Sequence, residues 1–140
     1  MIILDTNVLS ELTKLSPAPE VLHWFSRRTA EELFTTTITE AEMRFGIELL
    51  PNGKHRISLE SAIAAMFKEF GERILSFDRP AAFAFSAIAA RRRKLGRPIS
   101  QSDAQIAAIV RSFSAILATR NETDFDHCEI KITNPWVTMD

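Results

Sequence analysis

Four acids in this sequence, Asp5, Glu42, Asp103 and Asp124, have side chains that could do hydrolytic chemistry if folding gathered them. Gathered carboxylates repel one another, so some must stay protonated at neutral pH or a cation must sit among them. A hard divalent ion such as Mg²⁺ or Mn²⁺ takes oxygen ligands and suits such a set. It polarises a phosphoryl oxygen and lowers the pKa of a bound water, which is the chemistry of phosphodiester hydrolysis. Polar neighbours fit the same chemistry. Thr6 and Asn7 follow Asp5, and Thr119, Arg120 and Asn121 come just before Asp124. Such groups orient acids or water, and Arg120 can meet a phosphate. Each acid also has a plainer reading. Asp5 can cap a helix, Glu42 can close a capping box with Thr39, Asp103 can complement a helix dipole, and Asp124 can stabilise a turn.

The elements that would position these acids alternate. Ile2 to Leu4 is an apolar run that reads as a buried strand ending at Asp5. Helical spacing follows over Thr6 to Leu15, with Val8, Leu9, Leu12 and Leu15, until Pro17 and Pro19 break it. A second helix turns Val21, Leu22, Trp24 and Phe25 inward. Leu33 to Thr37 is a β-prone second strand. Thr39 is placed to cap the next helix, which runs through Phe45, Leu49 and Leu50 to Pro51-Asn52-Gly53. Ser58 to Phe70 is amphipathic and ends at Gly71; Arg73 to Phe77 is a third strand. A long helix starts at Arg79, with Pro80 in its tolerant first turn. Its segment Ala81 to Ala90 is apolar nearly all round, which predicts burial on more than one side. Gly96 and Pro98 close it. Ser100 or Ser102 caps a helix carrying Ile106, Ala107, Ile109, Val110 and Phe113; Ala115 to Ala118 is a fourth strand and Glu129 to Ile132 an edge strand.

Short apolar strands separated by helices predict an α/β three-layer sandwich with a mainly parallel central sheet. In such sheets ligands bind beyond the carboxyl ends of the strands. Asp5, Glu42 and Asp124 fall near that edge by order alone. Asp103 reaches it only if the packing of its helix brings it there.

The chain has 140 residues, 46% hydrophobic and 25% charged, which predicts one domain, residues 1–140, with a full core. Net charge is −1, so contact with nucleic acid must come from local patches rather than bulk charge. A single cysteine, Cys128, excludes an internal disulfide and fits a reducing compartment. No run approaches the roughly 18 apolar residues of a membrane span, and the opening Met1 to Leu4 is too short for a signal core. The expected location is the cytoplasm, with no membrane contact.

Arg91-Arg92-Arg93-Lys94, with Arg97, is the densest basic run. It can grip an RNA backbone, Arg91 and Arg92 foremost, or simply be a solvated helix end that complements the dipole. His23, His55 and His127 lack zinc spacing. No covalent-nucleophile motif and no phosphate-binding glycine loop is present. Trp24, Trp136 and the ten Phe are expected in the core or an interface.

The motifs Ile3-Leu4-Asp5-Thr6-Asn7-Val8-Leu9, Thr36 to Gly46, Ile99 to Ala108, Ala118 to Phe125 and Asn134-Pro135-Trp136 occur in order along nearly the whole chain. Together they resemble PIN-domain nucleases, most of all the VapC-type toxins of bacterial toxin–antitoxin pairs. The resemblance implies a PIN fold, an acidic pocket for Mg²⁺ or Mn²⁺, endoribonuclease activity on tRNA or mRNA, a homodimer, and neutralisation by a VapB-like antitoxin. It assigns Asp5, Glu42, Asp103 and Asp124 as catalytic and metal-binding, and prefers Glu42 to Glu40 because Arg44-Phe45-Gly46 follows it with the family spacing. Thr6, Asn7, Thr119 and Asn121 are supporting residues. The alternative is a catalytically silent PIN-like scaffold that binds RNA or protein; the intact acid set argues against it. A haloacid-dehalogenase-type phosphatase would need an aspartate two positions after Asp5, where this chain has Asn7.

Overall fold

The computed structural model describes residues 1–137. Its central strand is β1 (Ile2–Leu4), in which all three side chains are buried. A strand apolar on both faces needs a helix layer on each side. β1 lies between β2 (Leu33–Thr36) and β4 (Ile116–Ala118), with β3 (Ile74–Leu75) and β5 (Lys131–Thr133) at the edges, giving the order β3-β2-β1-β4-β5. Every pairing is parallel.

The pleat divides the core. Ile2, Leu4, Leu33 and Ala118 pack with Val8 and Leu9 of α1 (Thr6–Leu12), Trp24 of α2 (Pro19–Ser26), Met43 and Ile47 of α3 (Thr37–Glu48), and Ile63 and Phe67 of α4 (Lys54–Phe70). Ile3 and Leu117 point the other way. They meet Ala81 and Ile88 of α5 (Arg79–Lys94) and Ile106 to Val110 of α6 (Gln101–Ser112). The expected three-layer sandwich is therefore present, with a sheet that is wholly rather than mainly parallel.

Some expectations need correction. The first helix stops at Leu12, with Thr13 as its C-cap, and Leu15 is fully exposed. Glu11 draws the chain aside there, accepting hydrogen bonds from Lys14 Nζ and the Ala18 N–H at 2.8 Å each. Leu22, Phe45 and Leu49 also face outward. The α3 cap is Thr36, not Thr39: the Thr36 backbone is extended and its Oγ1 accepts the Thr39 N–H at 3.1 Å. Of the two candidate serines, Ser100 caps α6. The third strand shrinks to two residues: Arg73 ends a 3-10 turn and puts its guanidinium on the Ala30 and Leu33 carbonyls, and Phe77 leaves the strand to pack on Phe85. Helix α5 is buried along one stripe only; Phe83 is 82% exposed and Ala82, Ser86 and Ala87 are open. Phe45 (64%) and Phe113 (42%) likewise lie outside the core expected for the aromatic residues.

Candidate active site

Asp5 ends β1 and serves as the N-cap of α1, so the capping reading and the catalytic one apply to the same side chain. Its Oδ1 accepts the Thr6 N–H at 2.8 Å. Its Oδ2 accepts from the Thr119 hydroxyl at 2.8 Å and from Asn7 Nδ2 at 3.0 Å. Thr119 follows β4, the hydrogen-bonded neighbour of β1, so sheet register delivers the hydroxyl to the carboxylate. That hydroxyl is fully used: it donates to Asp5 and accepts from Asn7 Nδ2 and the Asn121 N–H, each at 3.1 Å. Asn7 Oδ1 accepts the Arg120 N–H at 3.0 Å. Asn121 meets Thr119 through its main-chain N–H.

Moving the α3 cap to Thr36 places Glu42 in the second turn, where the capping-box role does not reach it. Glu42 Oε1 instead accepts the Thr6 hydroxyl proton at 2.7 Å, and Thr6 shares a longer contact of 3.2 Å with the Thr39 hydroxyl. Asp103 stands in the first turn of α6, its N–H donating to the Ser100 cap at 3.2 Å. Asp124 lies in a 3-10 turn (Glu122–Phe125) and is exposed.

Electrostatics tie the four together. Burial raises the Asp5 carboxyl above its ordinary value; hydrogen bonds from Thr119, Thr6 and Asn7 oppose this, and the Glu42 charge adds to it. Asp103 is pushed up to about 6, first by burial and then by Asp5; a Ser100 hydrogen bond opposes, while Asp124 and Glu42 add. Each acid in the set thus acts on Asp103. Burial and mutual repulsion at one edge leave a site that favours a positive guest. The site offers carboxylates and hydroxyls, the hard oxygen donors that Mg²⁺ and Mn²⁺ take. Among the described residues, no group of three acidic, histidine or cysteine side chains is close enough to enclose an ion by itself. Mg²⁺ retains several waters and binds through one or two carboxylates, so this open arrangement fits an ion held partly through its water.

Comparison with known proteins decides the family. The sequence pattern of the PIN domain matches residues 2–131. The chain belongs to the PIN-domain family. Within it, the likeness runs to the VapC and FitB toxins. The chain is 35% identical over 137 residues to Toxin FitB of Neisseria gonorrhoeae, covering 97% of this chain and 99% of that one. It is 39% identical over 137 residues to the plasmid stability protein StbB of Pseudomonas syringae, with 97% and 99% covered. Ribonuclease VapC2 of Haemophilus influenzae is 31% identical over 136 residues, with 96% of each covered. Among solved structures, FitAB bound to an IR36 DNA fragment superposes with a TM-score of 0.93 at 35% identity, over 100% of this chain and 99% of that one.

The basic residues divide. Arg91 is exposed, 3.7 Å from Glu129. Arg120 is exposed and places its guanidinium 5.0 Å from the centre of the Trp136 ring. Arg92 corrects the expectation of an RNA contact: it is 5% exposed, and its guanidinium is taken up by main-chain carbonyls. It lies on the inward stripe with Ala81 and Ile88, at a spacing of seven and then four residues. That periodicity was legible, and a tetrad of basic residues masked it. Sequence reasoning also missed Thr39 as a partner of Thr6, having spent it as a cap. Thr35, buried with its hydroxyl donating to the Leu4 carbonyl at 3.1 Å, was missed as well.

Proposed function

We propose that this VapC-type toxin is a Mg²⁺- or Mn²⁺-dependent endoribonuclease, acting on tRNA or mRNA and folded as one PIN domain over residues 1–140. The observation that carries the reading is that Asp103, at the start of α6, stands where the charges of Asp5, Asp124 and Glu42 all act on its carboxyl, with Thr6 and Thr119 holding the Glu42 and Asp5 carboxylates. In this reading the four acids hold the ion directly or through its water. The ion, when bound, supplies charge to a phosphoryl oxygen and an acidified water. The chain's own task is orientation. Thr6 fixes one oxygen of Glu42, and Thr119 with Asn7 fixes one oxygen of Asp5, which holds both carboxylates in place before RNA arrives.

The partner we propose is a VapB-like antitoxin. Solved relatives include VapBC-1 from nontypeable Haemophilus influenzae. A groove of about 300 Å³ starts at Glu42 and Thr6 and continues over Met43, Ile47, Leu59 and Ile63. An antitoxin segment with apolar side chains and one basic residue complements it, the basic group meeting the acids. The homodimer remains part of the proposal, as the family resemblance implies. No helix among the described residues is long and apolar enough to cross a membrane, and the proposed location is the cytoplasm.

The test is cleavage of total cellular RNA by purified protein, with and without EDTA, beside the D5N variant. We expect cleavage that EDTA abolishes and that D5N lowers by about 10²-fold or more, with an unchanged circular dichroism spectrum. Cleavage by the stripped enzyme, or by D5N at the wild-type rate, would sink the reading.

A further inference from the structure

We propose that Arg92 is a positioning residue that sets the spacing of Asp103 and Asp124. The inference rests on the metal-binding reading of those acids. Arg92 is the buried member of an otherwise exposed basic run. Its Nε donates to the Arg97 carbonyl at 2.7 Å. Its Nη1 donates to the Asp124 carbonyl at 2.8 Å and the Asp126 carbonyl at 3.1 Å, and lies 3.8 Å from Cys128 Sγ. The acceptors are three carbonyls and a thiol. Burying a guanidinium against neutral acceptors is costly, and an apolar side chain would fill the same space. The rigid fork does what an apolar side chain cannot: it holds two separate segments at fixed directions.

Those two segments each deliver an acid. Arg97 lies three residues before Ser100, the cap on which the Asp103 N–H rests. Asp124 and Asp126 flank the buried Phe125. The turn bearing Asp124 is anchored at its ends by the buried Phe125 and by Asn134 Nδ2 donating to Glu122 at 2.9 Å, while Asp124 N–H to the Asn121 carbonyl and Asp126 N–H to the Thr123 carbonyl are long, each 3.2 Å. Short 3-10 turns have poor hydrogen-bond geometry and are weakly determined alone. The Asp124 side chain is exposed, so its position depends on the main chain that Arg92 grips.

The experiment is Mn²⁺ titration of the purified full chain, followed by the electron paramagnetic resonance signal of free aquated Mn²⁺. Wild type, R92M, D124N and the R92M/D124N double variant are compared, with R79M as a control for loss of a cation from the same helix. R92M is expected to weaken Mn²⁺ about tenfold. On the D124N background the same change is expected to cost distinctly less, about threefold, because the part of the effect that runs through Asp124 is already lost and only the part through Asp103 remains. R79M is expected to match wild type. Should R92M fail to fold, R92K keeps the charge but loses the fork, and carries the same comparison. Equal losses on both backgrounds would mean a general structural role and would overturn the proposal. So would wild-type affinity in R92M. A wild type that binds no Mn²⁺ overturns the metal reading itself, which separates the two failures.

Discussion

At Asp103 a half-exposed carboxyl sits among three others and is pushed up to about 6, from an ordinary value of 3.8. Between those values the folded protein holds a proton that the unfolded chain has released. The stabilising contribution of this group is therefore complete below about pH 3.8 and is lost as pH rises through 6. In EDTA at pH 7.5, D103N should be more stable than wild type by on the order of 1 kcal/mol, once solvent screening of a half-exposed charge is allowed for. That is about 3 °C in Tm, and the gain should vanish near pH 4. With saturating Mn²⁺ the order should reverse, because wild type gains more from the ion. Thermal melts in the two conditions check the sign. At Thr119 the side chain is fully buried and its hydroxyl serves three partners. T119V keeps the shape and removes the donor to Asp5. We expect a loss of about 1–3 kcal/mol in stability and about tenfold in cleavage rate, read by denaturant melts and initial rates. The four acids were visible as a set because each falls in one of the ordered motifs that resemble the family; singly, each had a capping or turn reading. The hydroxyls between them were less visible, since a threonine at a helix start looks the same whether it caps the helix or holds a carboxylate.

Among the elements, α6 bears on the site through one serine. S100A removes the oxygen that accepts the Asp103 N–H and should cost about 1 kcal/mol. Mn²⁺ affinity should fall with it, and an unchanged affinity would mean that Asp103 is placed by packing instead. Strands β1, β2 and β4 were readable from runs of Ile, Leu and Thr because burial on both faces leaves little other choice. Strand β3 was overestimated because the apolar residues around it serve other contacts. Phe77, for instance, packs edge-on against Phe85 at 5.8 Å. The long apolar stretch of α5 correctly announced a helix and overstated its burial. A composition rich in alanine says that a face can be covered, and does not say that this chain covers it.

Across the whole molecule, a net charge of −1 limits how RNA can be held. If the exposed Arg91, Arg93 and Lys94 of the basic run, with Arg120, are the cations that meet phosphates, single-stranded RNA should bind with a log–log salt slope of about −3. Fluorescence anisotropy of labelled RNA on the D5N variant, from 50 to 200 mM salt, measures this, both limits being roughly the range over which that slope is defined. A slope near −6 would require a second cationic surface. The order of layers followed from the alternation of elements. The outward apolar residues did not, because covering them is a matter for partners that a single chain does not specify.

The bond between Thr119 and Asp5 spans 114 residues and has a consequence in time. At about 5–20 residues per second, a ribosome has Asp5 in hand roughly 6–23 s before it reaches Thr119. Until β4 arrives, β1 lacks one neighbour and its terminal carboxylate lacks its buried donor. A chain still being synthesised thus carries no finished site near the messenger that encodes it. The carboxylate gains its buried donor only after synthesis has passed the fourth strand.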